Sequence, residues 1–245
     1  MKTGIPLNLK MKMKEIRNRG YELPFPTFEP QGDSALLVRF GNTIEPGSNQ
    51  RVHSLLRELE MNPQDGYTES VPGYCTLLVS YDPMKKSYAE MERWVKACIP
   101  RAKNHSPANP GIIEVPILYG GEHGPDLEEV ARLHNLSAED AIRLHSSKIY
   151  TVYFIGFLPG FPYLGPLNSS LETPRLETPR LLVKAGSVGI AGMQTGIYPL
   201  DSPGGWRIIG WTPLNLFDAS SKKPARFSPG DAVRFVPLRD GKINP

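Results

Sequence analysis

The segment from Phe154 to Trp211 constrains this chain most. It reads FIGFLPGFPYLGPL, then a doubled LETPR, then VKAGSVGIAGMQTGIYPLDSPGGW. Glycine and proline weaken regular elements and contribute little packing. Set this densely between short apolar runs, they mark tight turns of a β-rich structure that bring backbone close to something. Aromatics, a glutamine, several hydroxyls and one lysine alternate with them. The stretch therefore reads as a prepared binding surface, with a turn-rich scaffold as the plainer alternative, and the residues from Gly186 to Trp206 are expected to line an accessible hollow.

The rest of the chain supplies two settings for this segment. Thr27 to Gly41 is an extended run, a Gly-Asp turn and a strand carrying Leu36, Leu37, Val38 and Phe40. Pro46 to Met61 spaces Val52, Leu55, Leu56 and Leu59 as a helix does. Tyr67 to Tyr81 is two strand-like runs about Pro72-Gly73, a hairpin signal, and Ser87 to Ile99 is a second amphipathic helix through Met91, Trp94, Val95 and Cys98. These predict a small α/β domain over 27–104, resembling a split βαβ unit. The polar, proline-containing run Arg101 to Gly111 is the linker.

Residues 111–245 then predict a mainly β module. A strand from Ile112 to Leu118 precedes a helix capped by Asp126 and a second helix opened by a capping box at Ser137 to Asp140. Many short strands follow. Closing them into a barrel removes exposed edges, so the fold class is an α+β domain followed by a mainly-β barrel.

At 245 residues and 40% hydrophobic content, the chain has material for a real core. Its net charge of +3 is misplaced for nucleic acid: residues 1–20 hold six basic side chains against Glu15, a net of +5, which leaves −2 for the rest. With no basic stripe interleaved with aromatics, nucleic-acid binding is not expected, and 1–26 is read as a basic N-terminal extension. That extension lacks the apolar run of a signal peptide, and no run is long enough to span a membrane, so the expected location is the cytoplasm without membrane attachment. Cys75 and Cys98 are too few for a disulfide framework, and the histidines lack metal-ligand spacing, so no metal site is predicted.

Gly186, Gly189, Gly192 and Gly196 recur in GSVGIAGMQTG, and clustered glycine amides can face an anion or nucleotide. Glycines at barrel bends explain them equally. Gln194, Thr195 and Tyr198 offer an amide, a hydroxyl and a phenol suited to a small amide or lactam, or else they satisfy turn backbone. Ser187 and Trp206 join them as substrate-binding candidates. Trp206, Phe157, Phe161 and Tyr163 are expected to form an aromatic floor or docking face. Lys184 is a candidate for an anionic group, or a solvated strand-end lysine. Arg175 and Arg180, from the repeated LETPR, either pair with anions or face solvent or a partner. His145 is a reserve acid–base candidate at a helix end, where a protonated imidazole is favoured; His123 is a weaker one.

These residues carry a resemblance. Tyr119-Gly-Gly-Glu, Ile142-Arg-Leu-His-Ser-Ser147, Tyr153-Phe-Ile-Gly-Phe-Leu-Pro-Gly-Phe-Pro-Tyr-Leu-Gly165 and Thr178-Pro-Arg180 match the KipI family, as do Ala185 to Gly192, Gln194 to Pro199, Ser202 to Trp206 and Pro229 to Phe235. That family is also described as allophanate hydrolase subunit 1 and as the B-type subunit of 5-oxoprolinase. The similarity spans residues 27 to 238 and is most specific in the second half. It implies a cyclophilin-like barrel and a KipA-like partner subunit. With a LamB/YcsF-like subunit it implies an ATP-dependent 5-oxoprolinase that opens the lactam to glutamate, ATP being shared with the partner. The family also includes an inhibitor of a histidine kinase and carboxyl-transfer relatives in urea-processing enzymes. His123, Lys184 and Met193 depart from the family's usual residues, and the latter two flank the expected site.

Overall fold

The computed structural model describes residues 25–102 and 111–238. The basic extension up to residue 24 and most of the expected linker lie outside the described residues.

The first unit is a four-stranded antiparallel sheet with two helices. Strands β1 (Thr27–Gln31), β2 (Ala35–Arg39), β3 (Tyr67–Pro72) and β4 (Thr76–Tyr81) lie in the order β1-β2-β4-β3. β2 and β3 each pair antiparallel with β4, so they run parallel to one another, connected by helix α1 (Pro46–Met61). Helix α2 (Tyr88–Ala102) follows. Period-two alternation buries Leu36 and Val38 of β2 and Leu77, Val79 and Tyr81 of β4. They meet Val52, Leu55 and Leu59 from α1 and Met91, Val95 and Cys98 from α2, forming one hydrophobic core. Each such aliphatic side chain contributes about 1.5–3 kcal/mol by leaving water.

The second unit is a closed seven-stranded barrel. Its strands are β5 (Ile112–Tyr119), β6 (Ile149–Ile155), β7 (Pro162–Gly165), β9 (Ser187–Ala191), β10 (Gln194–Ile197), β12 (Arg207–Trp211) and β13 (Ala232–Pro237). They close in the order β10-β7-β6-β13-β5-β12-β9, with β5 and β13 the parallel neighbours. Strands β8 (Arg180–Val183) and β11 (Ser202–Gly204) form a separate ribbon. Helices α3 (Leu127–Leu133) and α4 (Ala138–Ser146) pack against β12 and β13 respectively. Val115, Ile117, Tyr150, Val152, Val188, Ile190 and Phe235 fill the interior.

Two local readings have different outcomes. Ser137 caps α4 by accepting the Asp140 amide at 3.0 Å. Asp126 does not cap α3: its carboxylate accepts the Ile208 amide at 2.6 Å and pairs with Arg180 at 2.7 Å. A buried carboxylate takes the partners that neutralise it, and here those lie across the barrel rather than in the next turn.

Candidate functional site

The first helix of one unit is tied to the barrel at a single carbonyl. β6 and β7 slip register between Val152 and Phe154, and there the Tyr153 carbonyl accepts from Asn49 Nδ2 at 3.2 Å and His53 Nε2 at 2.6 Å. Asn49 and His53 are one turn apart on α1, so a single helical face reaches the barrel. Asn49 Nδ2 also contacts the Gly73 and Tyr74 carbonyls at 3.2 and 3.1 Å. That ties the β3–β4 turn to the same point. Desolvation lowers the His53 pKa, opposed by its bond to Tyr153. The Tyr153 ring is wholly buried, its hydroxyl has no hydrogen-bond partner, and burial pushes its pKa up to about 12.

The pinned turn lays Tyr74 on the barrel. Its ring stands edge-on to Phe154 and Tyr163 at 4.7 and 5.9 Å, and those two rings stack at 4.4 Å. Its hydroxyl donates to Gln194 Oε1. Beyond Tyr163 the belt continues through Phe161 (4.9 Å), then Tyr198 and Trp206, both perpendicular to Phe161 at 5.2 and 5.5 Å. Such edge-to-face contacts suit the ring quadrupoles. Phe157, in a left-handed conformation with φ of 66°, ends the belt 61% exposed. Burial raises the phenol pKa of Tyr74, Tyr163 and Tyr198, so all three are neutral donors at ordinary pH.

The sequence candidates separate into groups. Gln194, Tyr198 and Trp206 fall on the belt, with Phe157, Phe161 and Tyr163. Only Gln194 is half-exposed among the first three, so this is a surface with a buried aromatic base rather than the expected hollow. Ser187, Gly189 and the rest of β9 are buried against neighbouring strands. The glycine amides do not form an anion cradle: Gly186 N–H donates to Tyr198 O and Gly192 N–H to Thr173 O, both at 2.7 Å. Gly186 is required for a close approach, since at φ of +84° an added Cβ would lie 2.4 Å from Thr212 O.

His145 and Thr195 are inside the barrel. Thr195 Oγ1 donates to Gly189 O at 3.0 Å, so it must accept from His145 Nε2–H at 2.9 Å. That leaves Nδ1 to accept the Tyr119 hydroxyl at 2.7 Å. The imidazole stacks on Phe235 at 4.5 Å, and desolvation lowers its pKa to about 3. The expectation of a protonated helix-end acid is corrected: His145 is neutral, fully buried and spent on three strands. Lys184 is exposed and pairs with Asp201 at 3.0 Å, and Asp201 also accepts the Ala185 amide, which braces a turn. Arg180 is neutralised by Asp126 and is not a free anion site, although its Nη1 is buried without a hydrogen-bond partner. His123 stacks on Trp211 at 5.4 Å.

An open depression lined by Pro125, Glu128, Arg132, Asn135 and Leu136 lies between α3 and α4 and shares no residue with the belt. Among the described residues no group of His, Cys, Asp or Glu is arranged to hold a metal, and no helix is long and apolar enough to cross a membrane. Sequence reasoning missed Tyr74, Asn49 and His53. The signal for Tyr74 was an aromatic immediately after the Pro72-Gly73 turn.

Residues 26–227 match the carboxyltransferase domain, subdomain C and D. The chain is 40% identical to the B-type subunit of 5-oxoprolinase from Bacillus subtilis (strain 168) over 222 residues, covering 86% of this chain and 92% of that one. It is 41% identical to the Escherichia coli O157:H7 protein of the same name over 217 residues, covering 86% and 95%. The crystal structure of TTHA0988 superposes with a TM-score of 0.74 at 37% identity, covering 86% of this chain but only 41% of that chain. The Kluyveromyces lactis urea amidolyase gives 0.74 at 20% identity over 89% and 15%, a likeness of fold. With its carboxyltransferase C and D subdomains matched over most of its length, the chain belongs to the KipI family, the B-type subunits of 5-oxoprolinase.

Proposed function

We propose that this chain is a subunit of an ATP-dependent 5-oxoprolinase, converting 5-oxoproline, ATP and water to L-glutamate, ADP and phosphate. It works with a KipA-like and a LamB/YcsF-like subunit in the cytoplasm. The observation that carries this reading is identity of 40–41% sustained over more than nine-tenths of two proteins named for that role. The barrel is of the cyclophilin-like kind, and the chain divides into the extension 1–26, a domain at 27–104 and the barrel at 111–245.

A lactam is resonance-stabilised, so its opening needs to be driven. Phosphoryl transfer from ATP to the lactam oxygen activates the carbonyl carbon. One water adds there and the ring C–N bond breaks to leave an acyl phosphate, which a second water hydrolyses to L-glutamate and phosphate. Catalysis of such a transfer is mostly positioning and charge stabilisation. Gln194 offers the amide donor and acceptor that a lactam complements, beside neutral phenols on an aromatic base. The chain contains no G-x-x-x-x-G-K-[ST] loop, which supports a nucleotide site completed by the partner. On this reading the purified chain alone has negligible ATP turnover.

Co-expression with the two partners, followed by an assay for glutamate released from 5-oxoproline with ATP, tests the proposal. The carboxyltransferase description of the matched family favours one other reading, a carboxyl-transfer subunit for urea-like substrates. Transfer from a biotin-dependent subunit, without glutamate formation, would establish that reading instead.

A further inference from the structure

The two arginines of the repeated LETPR are used differently. Arg180 is paired with the buried Asp126, whereas Arg175 has no hydrogen bond or ion pair among the described residues and its side chain is exposed. Its backbone is nevertheless fixed on both sides. Thr173 bridges to Gly192 and accepts that residue's amide at 2.7 Å, Pro174 O accepts from Arg207 Nε at 3.4 Å, and Leu176 N–H donates to Gly205 O at 2.8 Å. A rigid loop thus presents one uncommitted guanidinium, and its anchors place it at the belt: Gly192 lies two residues before Gln194 and Gly205 precedes Trp206. Its charge also acts on the phenols of Tyr74, Tyr163 and Tyr198.

The geometry points to Arg175 as the residue that recognises the carboxylate of a small amide substrate, with Gln194 and the neighbouring phenols taking its amide end. This rests on the functional reading above. A guanidinium binds a carboxylate through two parallel hydrogen bonds, and a loop already held in place loses little freedom in doing so. A phosphate group shares that chemistry, but the polyphosphate of a nucleotide calls for more donors. The nearby glycine amides are spent on backbone carbonyls and Lys184 is paired with Asp201, so one cation beside aromatic rings suits a singly charged carboxylate.

The test uses the complex assembled with wild-type chain, Arg175→Gln and Arg175→Lys. Arg175→Gln is expected to raise KM for 5-oxoproline at least tenfold with kcat changed less than threefold and KM for ATP unmoved, and Arg175→Lys recovers part of the loss. KM for 5-oxoproline within twofold of wild type, a fall in kcat alone, or a rise in KM for ATP instead overturns the inference. If the wild-type complex makes no glutamate, the functional reading fails, and equilibrium binding to the purified chain decides the carboxylate site. Binding of 5-oxoproline at least tenfold tighter than its uncharged analogue 2-pyrrolidinone, with the preference abolished in Arg175→Gln, sustains it. Equal affinities, or no binding of either, refute it.

Discussion

The Tyr74 hydroxyl, carried on a turn of the four-stranded sheet, donates to Gln194 Oε1 on the first residue of β10, so one hydrogen bond crosses from one unit to the surface of the other. Tyr74 also covers the Phe154–Tyr163 stack. The sheet thereby supplies part of the surface around Gln194, and the aromatic belt is a joint product of both units.

Replacing Tyr74 separates these two contributions. Tyr74→Phe removes one hydrogen bond and keeps the ring, at a cost of about 1 kcal/mol in urea unfolding. Tyr74→Ala also removes the ring contacts and is expected to cost about 3 kcal/mol. In the assembled complex, both variants are expected to raise KM for substrate, because Gln194 loses the group that orients it.

Burial of His145 makes stability depend on pH. Its folded pKa of about 3 lies below the ordinary value of 6.5, so the unfolded chain binds the extra proton between those values. Stability is therefore fully present above about pH 6.5 and is lost as pH falls towards 3, by up to about 1.4 kcal/mol per pH unit. Urea midpoints measured from pH 7 to pH 4 should fall, and His145→Gln should flatten that slope while lowering stability at pH 7.

The glycines of the 186–192 run differ in what they tolerate. Gly186→Ala places a Cβ against Thr212 O and the Trp211 indole, at positive φ, and is expected to cost about 3 kcal/mol or more. Gly192→Ala meets nothing within 4 Å at φ of +54°, so only the backbone strain of about 1 kcal/mol remains. Thermal unfolding of the two variants checks the order.

Asp126→Asn leaves Arg180 without its carboxylate and weakens the bond to the Ile208 amide. Loss of one member of a largely buried pair is expected to cost about 3 kcal/mol. Lys184→Ala, which breaks an exposed pair, should leave the unfolding midpoint where it was. A reversed ranking would mean that the outer turn, rather than the Asp126 bridge, holds the ribbon to the barrel.

Most elements were legible because their patterns are local. The Val52, Leu55, Leu59 spacing predicts α1 over Pro46–Met61, where it is found, and the Pro72-Gly73 turn marks the β3–β4 hairpin. Barrel closure was legible from many short strands. Partners distant in sequence were not. Asp126 precedes a helix and looks like its cap, yet its ligands are 54 and 82 residues away. The glycine run looks like an anion loop until the carbonyls of Tyr198 and Thr173 are placed opposite its amides. Helix-end His145 looks solvated because nothing local announces that α4 points it into the barrel. Gln194, Tyr198 and Trp206 stand out in the sequence and fall together on the belt, but Tyr74 arrives through a contact spanning 120 residues.

The most direct measurement is ATP-dependent glutamate formation from 5-oxoproline by the three-subunit assembly, run with wild-type chain, with Gln194→Ala and with this chain omitted. The account predicts turnover with the wild-type chain, at least a tenfold lower kcat/KM with Gln194→Ala, and none without the chain. Full activity in its absence, or an intact assembly that hydrolyses no 5-oxoproline, would contradict it.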